Sequence, residues 1–138
     1  MNIFELDFEK YMNETKNKNL VLIKEPDCVF CDRDKIKATD IKEHNYQGYR
    51  FYSFTPLNPI ILGHTLVVPQ VHVKDASENS DITALTFGLA SIIAKKRFKE
   101  YNLITNCGKY AEQTVFHLHI HIIPRFLDDQ INLWKKSS

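Results

Sequence analysis

The segment Val115-Phe116-His117-Leu118-His119-Ile120-His121-Ile122-Ile123-Pro124 decides how this chain folds. Histidines alternate in it with aliphatic residues, and successive side chains of a β-strand point to opposite faces of a sheet. A strand over residues 115–123 would therefore place three imidazoles on one face, at intervals of ~6.6 Å. These imidazoles belong to His117, His119 and His121. The opposite face would pack into the core through Leu118, Ile120 and Ile122.

Three imidazoles on one strand face point to a functional site. A lone histidine is usually a packing residue, but three at period two would each need a polar partner once partly buried. Two kinds of site fit the pattern. One is a catalytic metal site with all three histidines as ligands, and the other is a phosphate site in which one imidazole is the nucleophile. The strand alone leaves both open.

Upstream of this strand the pattern predicts a long helix over residues 81–99. Its apolar positions repeat at helical spacing, and Ser77 and Ser80 are candidate N-caps. The basic residues of its last turns suit the negative end of the helix dipole, and we assign them no function. Residues 103–105 indicate a short strand, and a polar loop over residues 106–114 connects it to the histidine strand.

The N-terminal half adds strands and a second helix. Residues 49–54 are rich in aromatic side chains and residues 64–68 in β-branched ones, and prolines and a glycine punctuate their ends. The apolar run at residues 20–24 indicates a further short strand, and the first eighteen residues favour a helix. The whole order predicts an α+β domain with a mostly antiparallel sheet, one long helix and an N-terminal helix.

Composition limits the classes of partner. The 138 residues fit a single domain over residues 1–138, and a net charge of +1 gives no support to nucleic-acid binding. The first residues lack the features of a secretory signal, and no apolar run reaches membrane-spanning length, so we expect no membrane partner. Cys28 and Cys31 have a spacing that intracellular proteins use for metal or redox chemistry. A cytoplasmic location is the expectation.

Three blocks of sequence resemble the histidine triad (HIT) superfamily of nucleotide hydrolases and transferases. The similarity covers residues 28–125 and leaves residues 1–24 as an N-terminal extension. The first block contains Asn106, Gly108 and residues 113–125. The second contains residues 56–59, residues 63–69 and His72-Val73, and the third is the pair Cys28 and Cys31. The resemblance implies a HIT-like fold and an enzyme that cleaves phosphoramidate or phosphoanhydride bonds of nucleotides.

The resemblance also implies roles for individual residues. In that family the middle histidine, here His119, attacks the α-phosphorus, and water or another acceptor then opens the nucleotidyl-histidine intermediate. A neutral imidazole is already nucleophilic at pH 7. His121 matches a catalytic position and His64 a phosphate-contacting one, and partly charged imidazoles there would stabilise the transition state. The family's polar loop positions fall on Asn106, Gln113 and Thr114.

A structural zinc site is the implied cofactor. A Cys-x-x-Cys pair supplies two thiolates with the spacing that tetrahedral zinc needs. Cys28 and Cys31 would provide them, and His72 and His117 match the family's remaining ligands. Four protein ligands leave no open coordination position, so such a zinc would be structural. Cys107 has no partner in this scheme.

Two departures from the family pattern bear on the substrate. Pro56 stands where many members carry an acidic residue that holds the ribose, and Glu112 replaces a common glycine. The expected substrate is a nucleotide, with a purine base as the default, and a homodimer is possible. Three alternatives to the nucleotide hydrolase stay open. They are a diadenosine polyphosphate hydrolase, a nucleotidyl transferase, and a zinc-stabilised nucleotide-binding module without turnover.

Overall fold

Residues 27–134 form an antiparallel sheet with a helix on one side, as described by a computed structural model. The elements are β1 (Thr39–Tyr46), β2 (Tyr49–Thr55), β3 (Thr65–Pro69), α1 (Ser80–Arg97), β4 (Tyr101–Ile104) and β5 (Ile120–Pro124). Short 3-10 helices lie at Arg33–Lys35 and Lys109–Ala111. The strand order is β1-β2-β3-β5-β4, with every neighbouring pair antiparallel. The predicted α+β class is confirmed.

A tight hairpin joins the first two strands. Tyr46 pairs with Tyr49, and the two residues between them, Gln47 and Gly48, both have positive φ, at 52° and 84°. Positive φ at both central positions is the conformation of a two-residue turn whose twist matches the twist of the flanking strands. Glycine adopts it without steric cost. The turn therefore fixes the register of β1 against β2.

The two faces of the sheet bury different clusters. Helix α1 covers one face, where Phe51, Val67 and Ile120 meet Ile82 and Leu89. Residues 28–38 cover the other face, where an aromatic and aliphatic cluster forms around Phe30. Its other buried members are Ile36, Tyr52, Phe54, Leu66 and Val68. The histidines of the 115–124 segment point to this second face, because Leu118, Ile120 and Ile122 belong to the helix-side core.

Two predicted boundaries need correction. The strand at Thr39–Tyr46 was not predicted, because this edge strand is polar and exposes side chains on both faces. The predicted strand at residues 115–123 begins only at Ile120. Residues before it leave the ladder, since the N–H of Leu118 donates to the carbonyl of Val73 at 2.6 Å. The alternation of side chains nevertheless continues through that stretch.

Several expectations concern residues outside the described range. The predicted N-terminal helix, the strand at residues 20–24 and the extent of the single domain over residues 1–138 lie wholly or partly there and stay predictions. No helix in the described part of the chain has the length and apolar character that crossing a membrane requires.

The N-cap of the long helix is neither of the two predicted serines. Its bounds, Ser80–Arg97, agree closely with residues 81–99, but Asn79 is the N-cap, and its side-chain oxygen accepts from the N–H of Ile82 at 3.1 Å. The hydroxyl and N–H of Ser77 both donate to Asp75 instead. The cap is therefore an asparagine rather than Ser77 or Ser80.

Replacing the cap provides a test of this assignment. Asn79→Ala leaves a helix N–H without its partner, and we expect it to lower the free energy of unfolding by about 1 kcal/mol. Ser80→Ala is the matched control and should change it by less than about 0.5 kcal/mol. Urea denaturation measures both, and equal losses in the two variants would contradict the assignment.

Candidate active site and metal centre

His117 lies at the centre of the site and is completely buried, at 0% exposure. Its Nε2–H donates to the carbonyl oxygen of Pro69, at 2.6 Å, at the end of β3. This bond fixes the tautomer, because a neutral imidazole that donates from Nε2 keeps a lone pair on Nδ1. Burial lowers the pKa of His117 to about 4, so the ring is neutral at pH 7. Its Nδ1 is therefore available as a ligand.

Two cysteines and a second histidine surround that nitrogen. The Sγ atoms of Cys28 and Cys31 lie 3.4 Å and 3.5 Å from Nδ1 of His117, and Cys31 Sγ lies 3.1 Å from Nδ1 of His72. All four ligand atoms lie within 4.8 Å of one another. A tetrahedral zinc with ordinary bond lengths separates sulfur and nitrogen ligands by about 3.6 Å. The four predicted ligands are thus brought together, and their donor set fits zinc.

The backbone of His117 holds the neighbouring candidate nucleophile. Nδ1–H of His119 donates to the carbonyl oxygen of His117 at 2.8 Å, which leaves the lone pair on Nε2. This carbonyl is the acceptor that the sequence alone could not locate. The main-chain carbonyl of His119 accepts from the Thr105 hydroxyl at 2.9 Å, and the ring of Phe30 packs edge-on at 5.5 Å. His119 is therefore oriented from three sides.

Sequence reasoning missed two of those contacts. Phe30 is one of the two residues between the cysteines of the Cys-x-x-Cys pair, and its ring centroid lies 6.0 Å from that of His117. Thr105 ends the short strand predicted before the polar loop. An aromatic residue within the Cys-x-x-Cys knuckle, residues 28–31, is a weak indication in a sequence that its ring contacts the nucleophile. No signal marks Thr105, because its role depends on the pairing of β4 with β5.

His64 and His121 form a hydrogen-bonded chain. The backbone N–H of Ile60 donates to Nδ1 of His64 at 3.1 Å, so the proton of the neutral ring is on Nε2. Nε2 of His64 lies 3.0 Å from Nδ1 of His121 and donates to it. His121 then carries its own proton on Nε2. The two hydrogen bonds therefore leave an N–H of His121 beside His119. The ring centroids of His119 and His121 are 5.1 Å apart.

These hydrogen bonds place His64 behind His121. His64 is only 4% exposed, and both of its ring nitrogens have protein partners. Its predicted direct contact with the phosphate stays a prediction, whereas its contact with His121 is part of the structure. Burial lowers the pKa of His64 and lowers that of His121 to about 4. The two imidazoles are thus neutral at pH 7, whereas partly charged rings were expected.

The polar loop is held together by Gln113. Its side-chain oxygen accepts from the N–H of Gly108 at 2.8 Å, and its amide donates to the carbonyls of Lys74 and Val115. Gln113 is 4% exposed, so in this conformation it positions the loop. Thr114 is exposed at the loop's end. The predicted contacts of Gln113, Thr114 and Asn106 with a substrate stay predictions.

Glu112 has a backbone conformation that explains the family's glycine. Its φ and ψ are 68° and 27°, which is the left-handed region that glycine adopts most easily. A non-glycine residue is strained there by about 1 kcal/mol. The Glu112 side chain is exposed rather than inserted into the protein. Its departure from the pattern therefore carries a conformational cost and adds an anion at the surface of the loop.

A cavity of about 610 Å³ opens beside the metal-ligand cluster. Thr114 lines it together with Cys28 and His72, and Lys74 and Glu78 supply charges of opposite sign. Cavities of a few hundred cubic ångströms accommodate small-molecule ligands. Thr114 therefore borders a space of ligand size, although neither His119 nor His121 lines it.

The geometry separates the strand histidines by role. Within residues 27–134, the group that could hold a metal contains His117 but neither His119 nor His121. Those two rings bond to a carbonyl and to His64 instead. The arrangement favours a nucleophile site beside a closed metal centre over a catalytic metal bound by all three strand histidines.

Comparison with known proteins agrees with these observations. The sequence profile described as HIT domain matches residues 42–128. The chain is 36% identical over 106 residues to Protein hit of Bacillus subtilis (strain 168), covering 72% of this chain and 71% of that protein. It is 30% identical over 118 residues to Adenylylsulfatase HINT3 of Arabidopsis thaliana, covering 81% of this chain and 58% of that protein.

A solved structure with a similar backbone contains zinc. It is the zinc-bound histidine triad family protein from Mycobacterium smegmatis, which is 28% identical to this chain. The TM-score is 0.61, and the alignment covers 81% of this chain and 84% of that chain. A zinc-bound neighbour of similar fold is compatible with zinc at the four-residue cluster of this chain.

Removing one ligand tests the metal centre. The native protein should hold about one zinc ion per chain, and Cys31→Ser should lose it because a hydroxyl replaces a thiolate. We expect the unfolding midpoint to fall by about 10 °C or more with the metal. Cys107→Ser is the matched control, since Cys107 is exposed and outside the cluster. Metal analysis measures the zinc content of both variants, and calorimetry measures their unfolding midpoints. An unchanged zinc content in Cys31→Ser would refute the site.

Acid titration tests the neutral His121. Its folded-state pKa of about 4 lies below the ordinary value of 6.5, so the unfolded chain binds the extra proton first as the pH falls. Stability is therefore complete above pH 6.5 and is lost from there towards pH 4, by about 3 kcal/mol from this group. We expect His121→Gln to remove that part of the loss. Both proteins keep the metal ligands, so equal acid sensitivity in urea denaturation would contradict the assignment.

Proposed function

The chain belongs to the HIT domain family, and from that premise we propose that it is a nucleotide hydrolase that works through a nucleotidyl-histidine intermediate on His119. The observation that supports this most directly is the bond from Nδ1–H of His119 to the carbonyl of His117, at 2.8 Å. It selects the tautomer whose Nε2 is unprotonated. Burial also lowers the pKa of His119, so the nucleophilic form is the resting form.

In the first step Nε2 of His119 attacks the α-phosphorus of a nucleotide. A nitrogen–phosphorus bond forms while the bond from phosphorus to the leaving group breaks, and the leaving group departs with that electron pair. The developing negative charge falls on the nonbridging oxygens. Nε2–H of His121 is the donor that would meet them, since His64 holds the opposite nitrogen at 3.0 Å.

In the second step water replaces the histidine. Its oxygen attacks the same phosphorus, the nitrogen–phosphorus bond breaks, and the electron pair returns to Nε2 of His119. The water loses one proton to solvent, and the products are a nucleoside monophosphate and the free imidazole. His117 keeps Nδ1–H of His119 hydrogen-bonded throughout, so the ring is positioned for the next cycle. An acceptor other than water would make the protein a nucleotidyl transferase.

The loop residues are assigned to the phosphate and the leaving group. Thr114 lines the 610 Å³ cavity, and its hydroxyl would bond a nonbridging or leaving-group oxygen. Asn106 would add an amide, and Gln113 would act by holding the loop through Gly108. The base and ribose pockets are proposed to accept a purine nucleoside, without the acidic ribose contact that Pro56 cannot supply.

Zinc is proposed as a structural cofactor. Cys28, Cys31, His72 and His117 would hold it, and when bound it would cross-link the N-terminal knuckle to the catalytic segment. Those residues supply no proton and no nucleophile to the substrate. Their contribution is to keep His117 in place, so that its carbonyl stays within reach of His119. The location of the protein is proposed to be the cytoplasm, and a homodimer is its proposed assembly.

One relative gives weight to a particular leaving group. The adenylylsulfatase of Arabidopsis thaliana is 30% identical over 118 residues, so sulfate joins amines and phosphate chains as a candidate. A diadenosine polyphosphate hydrolase would use the same residues with a nucleotide as leaving group. The alternative that is not an enzyme is a zinc-stabilised nucleotide-binding module without turnover. Glu112 and Pro56 are the departures that favour it.

Substitution of the nucleophile tests the proposal. The native protein and His119→Gly are incubated with adenylyl sulfate, an adenosine phosphoramidate and diadenosine polyphosphates, and release of the monophosphate is followed. We expect the variant to lose about 10³-fold or more in rate, because the attacking nitrogen is gone. Added imidazole should restore part of the rate by occupying the vacated position. Denaturation of the native enzyme at alkaline pH, where a nitrogen–phosphorus bond to histidine is stable, should trap labelled nucleotide on the protein.

The other outcomes discriminate between the alternatives. Equal turnover by His119→Gly would refute the nucleophile, and trapped label in that variant would place it on another residue. Binding of nucleotides without product from any substrate would favour the module without turnover. The zinc content and unfolding midpoint of His119→Gly must match the native values, because a folding defect would also abolish activity.

A further inference from the structure

A second cavity lies on the helix side of the sheet, between β1 and the last turns of α1. It encloses about 450 Å³ and is lined by residues of both elements. Three of them are cations, namely Lys42, Lys96 and Arg97. Ile92 and Ile93 of the helix form an apolar wall. We refer to this cavity as the helix-side groove.

The cations of the helix-side groove are poorly neutralised. Neither Lys42 nor Lys96 forms an ion pair with another residue of the described range. Glu43 also lines the cavity, but it is paired in register with Tyr52 and its side chain lies on the opposite face. The carboxylate of Asp40 is close to the cations, because Asp40 lines a small adjoining cavity of about 40 Å³ together with Lys42 and Arg97. Three cations therefore face one anion.

A buried hydroxyl lies where the two cavities meet. Ser53 lines both of them, although its exposure is only 4%. Its Oγ lies 2.7 Å from Nε2 of His44, which is also on the helix side of β1. When the imidazole donates to this oxygen, the hydroxyl proton is free to point into the groove. The side chain thus adds a neutral donor among the cations.

Arg97 is held in position at the same place. One of its terminal nitrogens donates to the hydroxyl of Thr65 at 2.9 Å, and its guanidinium lies 4.8 Å from the centre of the Phe98 ring. These contacts use part of the guanidinium and leave further N–H groups for a ligand. A guanidinium fixed in this way loses little side-chain entropy when it binds an oxyanion.

We propose that the helix-side groove binds a small organic phosphate, with the phosphate among Lys42, Lys96, Arg97 and the Ser53 hydroxyl and the organic part on Ile92 and Ile93. Phosphate oxygens match the donors, and the apolar wall matches an aromatic or aliphatic group. The groove is separate from the candidate active site. The sheet lies between them, since His119 and His121 point to the face opposite α1.

Phenyl phosphate is the probe, because it combines an oxyanion with a compact apolar ring. A titration of the isotopically labelled protein, followed by amide chemical shifts, gives separate isotherms for the two faces. The amides of Ile92, Ile93 and Ser53 report on the groove, and those of Thr114 and His121 report on the active site. We expect saturable shifts at the groove amides.

Two double variants of equal charge test the cations. Lys42→Gln with Lys96→Gln removes two groove cations, and we expect it to weaken the groove isotherm about tenfold. Lys37→Gln with Lys95→Gln is the matched control, because both residues are exposed and neither lines the groove. The control should leave the groove isotherm unchanged. The active-site isotherm should be the same in both variants.

The remaining outcomes would overturn the proposal. Shifts confined to Thr114 and His121 would mean that the active site alone binds the probe. Equal weakening of the groove isotherm in both double variants would mean that the probe responds to the overall charge of the protein and not to the groove cations. Benzyl alcohol, which lacks the phosphate, should not shift the groove amides at the same concentration, and equal binding would leave only an apolar cavity. Since no turnover is measured, these results are independent of the proposed hydrolase activity.

Discussion

The arrangement of the site depends on one buried imidazole whose polar groups all have fixed partners. His117 donates from Nε2 to Pro69, directs Nδ1 to the cysteine pair, and offers its carbonyl to His119. A buried polar group without a partner costs about 1–3 kcal/mol, so the loss of any of these contacts would lower the stability of the fold. The end of β3, the knuckle of residues 28–31 and the candidate nucleophile are therefore positioned by the same residue.

The sheet turns a simple alternation into two chemically distinct surfaces. Along the 117–122 segment the aliphatic side chains enter the core beneath α1, while the imidazoles face the knuckle. On β2 and β1 the same alternation sends Ser53 and Lys42 to the helix side. Because neighbouring strands keep their register, polar residues far apart in sequence gather on one face. Both the candidate active site and the helix-side groove arise in this way.

The sequence was sufficient where a pattern is local and insufficient where pairing decides. The helix over residues 81–99 and the alternation of the histidines follow from spacing within one element. Strand β1, Thr39–Tyr46, has no such pattern, since its polar residues reflect its place at the sheet edge. The acceptor for His119 could not be predicted either. It is a main-chain carbonyl, and main-chain groups leave no trace in residue identity.

The neutrality of the histidine chain has a chemical consequence for substrate choice. The N–H of Ile60 occupies Nδ1 of His64, so a proton cannot be added there without breaking that bond. Burial further disfavours a cation at His121, whose pKa is about 4. Protonation of His121 would also displace the N–H that His64 donates to its Nδ1. In the proposed reaction the phosphate would therefore meet a neutral N–H donor on His121, which binds an anionic oxygen more strongly than a neutral oxygen of the same shape.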